Sequence, residues 1–176
     1  MSRIVLETPR LILREFSPAE DAAGFFELNG DPEVLRFTGD VPFESVDAAR
    51  IFLENYAQYR LHGYGRWTTL FRETGEFVGW CGLRYMEDPD GADIGFRFHR
   101  RHWGRGYATE AALACVIYGF ERLHLPLVLG RATKDNLASI RVLEKIGLHY
   151  WRDADLDGIP AVLYKAEPNT LLPVQV

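Results

Sequence analysis

The stretch Arg100-Arg-His-Trp-Gly-Arg-Gly-Tyr-Ala-Thr-Glu-Ala111 combines cationic side chains, two closely spaced glycines and the start of a helix-forming run. Such a combination suits the binding of an anion to main-chain N–H groups. A helix beginning near Gly106 leaves its first N–H groups without intrahelical partners. Its dipole places about half a positive charge there. Gly104 and Gly106 lack Cβ, so the loop can take positive φ and let an anion approach the backbone. Arg105 and Arg101 add charge at the rim. The ligand implied carries phosphate, and a diphosphate suits such a run of donors. A Walker A loop is excluded because no Gly-Lys-Ser/Thr is present. The dinucleotide fingerprint fails because Thr109 stands at its third glycine position, and because this loop follows an antiparallel meander. A glycine-rich turn with solvated arginines is the structural alternative.

The elements that must hold this loop fit one domain of 176 residues, long enough for a sizeable core. We assign residues 1–167 to that domain and 168–176 to a loosely held tail. The net charge of −5 argues against nucleic acid or anionic membrane as partners. Against that background the cluster of Arg97, Arg100, Arg101 and Arg105 indicates a small anionic ligand. Cys81 and Cys115 lie in apolar runs and read as buried thiols. Neither Cys-x-x-Cys nor His-Glu-x-x-His occurs, so no metal is expected. No signal-like segment opens the chain, and no apolar run approaches the ~20 residues of a membrane span. A cytoplasmic location is the expectation.

Arg10 to Phe16 reads as a strand following Pro9. Ser17-Pro18-Ala19-Glu20 opens a helix, with serine at the N-cap, proline at N1 and glutamate at N3. A second helix is predicted from Glu44-Ser45-Val46 to His62-Gly63. The period then changes to two for strands over 67–71, 77–83 and 93–98. A long helix from Gly106 to about Leu123, a strand over 127–132, a helix over 137–146 and two closing strands complete the order. The late strand–helix–strand connection implies one parallel pair in a mostly antiparallel sheet.

Trp103-Gly-Arg-Gly-Tyr-Ala108, followed by Thr109-Glu-Ala, resembles the acetyl-CoA pyrophosphate loop of the GCN5-related N-acetyltransferases (GNAT), written Gln/Arg-x-x-Gly-x-Gly/Ala. Gly106 and Ala108 take the small positions. Trp103 replaces the usual Gln or Arg, as in the branch resembling the RimJ/RimL ribosomal-protein acetyltransferases. Asn136-Leu-Ala-Ser139-Ile-Arg141 resembles that branch's Asn-x-x-Ser-x-Arg segment. The resemblance implies an α/β (α+β) GNAT fold: a mixed, mostly antiparallel sheet of about seven strands flanked by four helices, splayed between the fourth and fifth strands. It implies acetyl-CoA as cosubstrate. Pantetheine would pair with the backbone of Phe96, Arg97 and Phe98. The diphosphate would take N–H groups from Trp103, Gly104, Arg105, Gly106, Tyr107, Ala108 and Thr109. Asn136 would reach the pantetheine arm, and Arg141 would pair with the cofactor or with Glu144.

The reaction so implied is amine attack on a thioester, with a backbone N–H near Phe96 to Phe98 stabilising the oxyanion. The family's tyrosine position is Glu144 here. Ser139, the branch's nominee, is then the candidate proton donor, although Asn136 and Ser139 would also simply start a helix. Asp93 is the candidate base, provided that burial raises its pKa. Phe37 and Trp67 are candidates for the acceptor pocket. The expected acceptor is a primary amine. A protein or peptide N-terminus, such as that of a ribosomal protein, is favoured over an amino acid, polyamine or antibiotic; the other reading is a non-catalytic acyl-CoA sensor. A homodimer is expected by analogy only.

Overall fold

Trp67, Cys81, Phe96 and Phe98 sit on strands whose residues alternate between two sheet faces, and that alternation sets the architecture. The computed structural model describes residues 2–170; positions 171–176 of the expected tail lie outside the described residues. The strands are β1 (Ile4–Glu7), β2 (Leu11–Arg14), β3 (Arg66–Phe71), β4 (Phe77–Met86), β5 (Gly91–Phe98), β6 (Val128–Thr133), β7 (His149–Leu156) and β8 (Ile159–Ala166). They form one eight-stranded sheet in the order β1-β2-β3-β4-β5-β6-β8-β7. Every neighbouring pair is antiparallel except β5 and β6.

The helices are α1 (Pro18–Leu28), α2 (Pro32–Leu35), α3 (Val46–Glu54), α4 (Gln58–His62), α5 (Tyr107–Glu121) and α6 (Leu137–Lys145). None of them is long and apolar enough to cross a membrane. Helix α5 joins the parallel strands and packs on β4 and β5. It buries Ala111, Ala112, Cys115 and Val116 against Trp67, Cys81, Leu83 and Ile94. A second core lies on the other side of the sheet, where α1 and α3 bring Phe25, Ala49 and Leu53 against Phe16, Phe77 and Trp80.

Three local expectations are corrected. Strand β1 is additional; it pairs with β2 across a turn in which Thr8 N–H donates to Leu11 O at 2.9 Å. The helix expected over residues 46–62 is two helices. Asn55 ends α3, its side chain donating to Ile51 O at 2.8 Å, and Tyr56 turns inward to accept the Arg66 N–H at 2.6 Å. At α1 the Ser17 side chain makes no cap. Asp21 instead accepts the Ser17 N–H at 2.8 Å while pairing with buried Arg14 at 2.6 Å, which fixes α1 to the sheet.

The feature that positions the site is where the parallel ladder stops. Pairing of β5 with β6 ends at Ile94–Gly130. Strand β5 continues to Phe98 along β4, whereas β6 continues to Thr133 along β8. The two strands therefore part, as the splay between the expected fourth and fifth strands requires.

Candidate active site

Ala92 N–H donates toward β6, to Leu127 O at 3.1 Å, and His99 N–H donates toward β4, to Val78 O at 3.1 Å. Strand alternation thus turns the N–H and C=O groups of Phe96 and Phe98 into the opening. The cleft there has a volume of about 500 Å³. Phe96, Arg97 and Phe98 form one wall, the Trp103–Thr109 loop its floor, and Asn136, Ser139 and Arg141 of α6 the opposite wall. Phe37 closes the far side, from the irregular segment after α2.

The loop at the start of α5 carries the donors. Gly104 and Gly106 take φ +73° and +80°. Residues with a side chain rarely adopt these values. Among the described residues, no protein group accepts the N–H of Gly104, Arg105, Gly106, Tyr107, Ala108 or Thr109. The first intrahelical bond is Glu110 N–H to Gly106 O, at 3.0 Å. The loop is a nest of free donors at the positive end of a 15-residue helix. Trp103 departs from expectation: its N–H is spent on Arg100 O at 3.1 Å. Its indole donates to Phe98 O at 2.8 Å, occupying an acceptor that strand geometry aims into the cleft. Arg105 is exposed and does not line the cleft.

The loop is braced by residues that the sequence did not reveal. Glu110 accepts from Thr8 Oγ1 at 2.6 Å, Arg10 N–H at 2.9 Å and Arg10 Nε at 2.6 Å. Burial opposes its charge, but these bonds hold the carboxyl below the usual range. Arg10 also donates to Arg105 O at 3.1 Å and stacks on Tyr107 at 4.4 Å. His99 and His102, which flank the loop, are 4% and 7% exposed. Burial first, and then the Arg101 charge, lowers both pKa values.

On α6, Asn136 Oδ1 accepts the Ser139 N–H at 3.2 Å, so the pair caps the helix. The Ser139 hydroxyl has no partner among the described residues and lines the cleft. Glu144 is engaged by the Tyr164 hydroxyl at 2.9 Å, which leaves Arg141 unpaired among the described residues, facing the cleft.

Two expected roles do not survive. Trp67 is 1% exposed and points into the α5 core, its ring edge-on to Tyr118 at 5.6 Å. It cannot line an acceptor pocket. Asp93 is clamped by Arg66 at 2.6 Å and Arg131 at 3.1 Å, with Arg84 at 3.7 Å. Burial would raise its carboxyl, but the Arg66 and Arg131 charges outweigh burial and hold it below the ordinary range. A general base needs the opposite shift. Arg97 lines the cleft, yet its guanidinium is committed to Asn29 and, at 2.5 Å, to Asp40.

Comparison with known proteins identifies relatives over most of the chain. A family model described as an acetyltransferase (GNAT) domain matches residues 10–149. The chain is 35% identical to the uncharacterized protein YkkB of Bacillus subtilis (strain 168), over 91% of this chain and 94% of that one. It is 34% identical to the uncharacterized N-acetyltransferase p20 of Bacillus licheniformis, over 80% of each. The crystal structure of an acetyltransferase from Agrobacterium tumefaciens str. C58 superposes with a TM-score of 0.79 at 28% identity, covering 95% of this chain and 96% of the other.

Proposed function

We propose that this chain, which belongs to the GNAT acetyltransferase family, moves an acetyl group from acetyl-CoA to a primary amine by direct attack. The observation that carries this reading is the run of unpartnered N–H groups from Gly104 to Thr109 at the head of the cleft. A diphosphate satisfies several such donors at once. The backbone of Phe96 and Phe98 would align the pantetheine arm along β5, with Phe98 O freed by rotation of the Trp103 indole. Arg141 would neutralise a phosphate charge at the cleft wall. Acetyl-CoA supplies the activated acyl group; the residues named here hold it.

An N–H of Phe96 or Phe98 would face the carbonyl oxygen as charge develops on it. The Ser139 hydroxyl, free of protein partners, would donate a hydrogen bond toward the leaving sulfur. With Asp93 held ionised between arginines, the amine enters neutral and gives up its proton to water after attack. Holding both reactants in line supplies much of the acceleration, on the order of 7–11 kcal/mol for well-aligned groups. Resemblance to the RimJ/RimL branch makes a protein or peptide α-amine the leading acceptor, with small-molecule amines second.

The test is a screen of peptides and small amines with free-thiol detection. Thiol release that depends on both acetyl-CoA and an amine supports the assignment. Tight CoA binding without turnover of any amine would instead favour a sensor. Should neither acetyl-CoA nor CoA raise the melting temperature, the reading of the loop itself is wrong.

A further inference from the structure

The two faces of β5 have different surroundings. Ile94, Phe96 and Phe98 face α5, whereas Asp93, Gly95 and Arg97 face the other side. The phosphate loop and α6 reach the cleft from the α5 side. The opposite face carries an excess of positive charge around Asp93, and an acceptor that meets the thioester through the splay would approach from there. Arg84 lies directly across from Asp93 on β4, and Arg66 crosses Gly82 and Gly95 from β3. Arg131 joins from β6 just beyond the last parallel pair. Gly95 leaves room for this side chain: a Cβ there would stand 2.5 Å from the Arg66 guanidinium.

One carboxylate faces three guanidiniums, and the hydrogen bonds are divided unequally. Asp93 Oδ2 takes Arg66 at 2.6 Å and Arg131 at 3.3 Å, and Oδ1 takes Arg131 at 3.1 Å. Arg84 stands 3.7 Å from Oδ2, makes no hydrogen bond among the described residues, and its side chain is 46% exposed. Burial disfavours the Arg84 charge; Asp93 supports it without full compensation, because Arg66 and Arg131 repel it. A guanidinium with a complete set of donors and short of anions is suited to receive a planar oxyanion in bidentate fashion.

We propose that Arg84 and Arg131, positioned by Asp93, receive an anionic oxygen group, a carboxylate or a phosphate, carried by the acceptor amine. The inference rests on the acetyl-transfer reading and names the acceptor's second functional group. Gly95 and Arg97 lie about 7 and 13 Å along the strand from Asp93. The amine and the anion are therefore separated by roughly that span.

The probes are 6-aminohexanoate, its neutral amide and 6-aminohexyl phosphate, compared by kcat/KM from thiol release. The acid or the phosphate should exceed the amide by about tenfold or more, and their ranking identifies the anion. Arg84→Gln and Arg131→Gln should collapse that ratio towards one. Binding is measured in parallel by calorimetry, titrating CoA-loaded protein with 6-acetamidohexanoate and its amide. The acid should bind at least tenfold tighter, and Arg84→Gln should remove the difference. Retention of the CoA-induced thermal shift shows that each variant is folded. Equal use or equal binding of acid and amide, binding of neither, or an unchanged ratio in Arg84→Gln overturns the proposal. Failure of CoA to bind at all would strike at the acetyl-transfer reading instead.

Discussion

Arg10 and Glu110, a hundred positions apart, meet through both the backbone N–H and Nε of Arg10, at 2.9 and 2.6 Å. The contact ties the β1–β2 turn to the first turn of the helix that presents the anion nest. Because Arg10 also reaches Arg105 O and stacks on Tyr107, it restrains the loop from one side along its length. The Arg10 side chain is half exposed, so its ion pair adds little to global stability, about 0–1 kcal/mol. Arg10→Ala should accordingly weaken acetyl-CoA binding several-fold while moving the melting temperature of the free protein only slightly. Calorimetry and a thermal melt on the same sample separate these effects; a large loss of stability with intact binding would contradict the bracing role.

The two loop glycines make a graded prediction. A Cβ on Gly104 would meet nothing within 4 Å, and one on Gly106 would only touch Arg10 Nη2 at 3.4 Å. Their requirement is therefore conformational, through φ of +73° and +80°. Gly104→Ala should cost about 1 kcal/mol and leave CoA binding measurable. Gly106→Val, β-branched at the same φ, should abolish the CoA-induced thermal shift.

The anion loop was legible because its chemistry is local: glycine, cation and helix start lie within one short stretch. The helix start at Asn136 and Ser139 was legible from their spacing, whereas their functional reading came from the family resemblance alone. Arg10 and Thr8 were not, since only the sheet order brings the N-terminal turn to α5. The fate of Asp93 was equally hidden. An acidic residue at a strand start reads alike whether it faces water or the guanidiniums of Arg66 and Arg131, which come from strands before and after it. Trp67 shows the limit of period-two reading, which finds a strand but does not say which face meets α5. The break at Asn55 depended on Tyr56 finding the Arg66 N–H, a tertiary contact overriding helical periodicity.

His99 and His102 predict a pH dependence of stability in the neutral range. Burial and Arg101 depress both pKa values below 6.5. The unfolded chain then binds protons before the folded one as pH falls. Stability is complete above pH ~6.5 and declines below it, towards the folded pKa values. Asp93 and Glu110, also depressed, keep their contribution until the pH drops below about 4 and so do not obscure this window. The melting temperature should fall by a few degrees between pH 7.5 and 5.5, at about 2–4 °C per kcal/mol for a domain of this size. His102→Gln should flatten part of that decline; a flat profile in the parent protein would refute the assignment.

Asn136 and Ser139 stand one helical turn apart and share one hydrogen bond, yet their substitutions should fail differently. Asn136 Oδ1 caps α6, so Asn136→Ala should destabilise the protein by about 1 kcal/mol and lower its melting temperature. Ser139 contributes to that cap only through its N–H, which alanine retains. Ser139→Ala should therefore melt close to the parent and bind CoA with similar affinity. If its hydroxyl meets the departing sulfur, turnover should drop about 10- to 100-fold with little change in KM for acetyl-CoA, the pattern of an interaction made in the transition state. A leaving group that needs no proton would rescue the variant, so an acetyl thioester of a more acidic thiol should narrow the gap. Unchanged kcat in Ser139→Ala, with any amine the enzyme accepts, would remove the hydroxyl from the chemistry and leave it as part of a helix start.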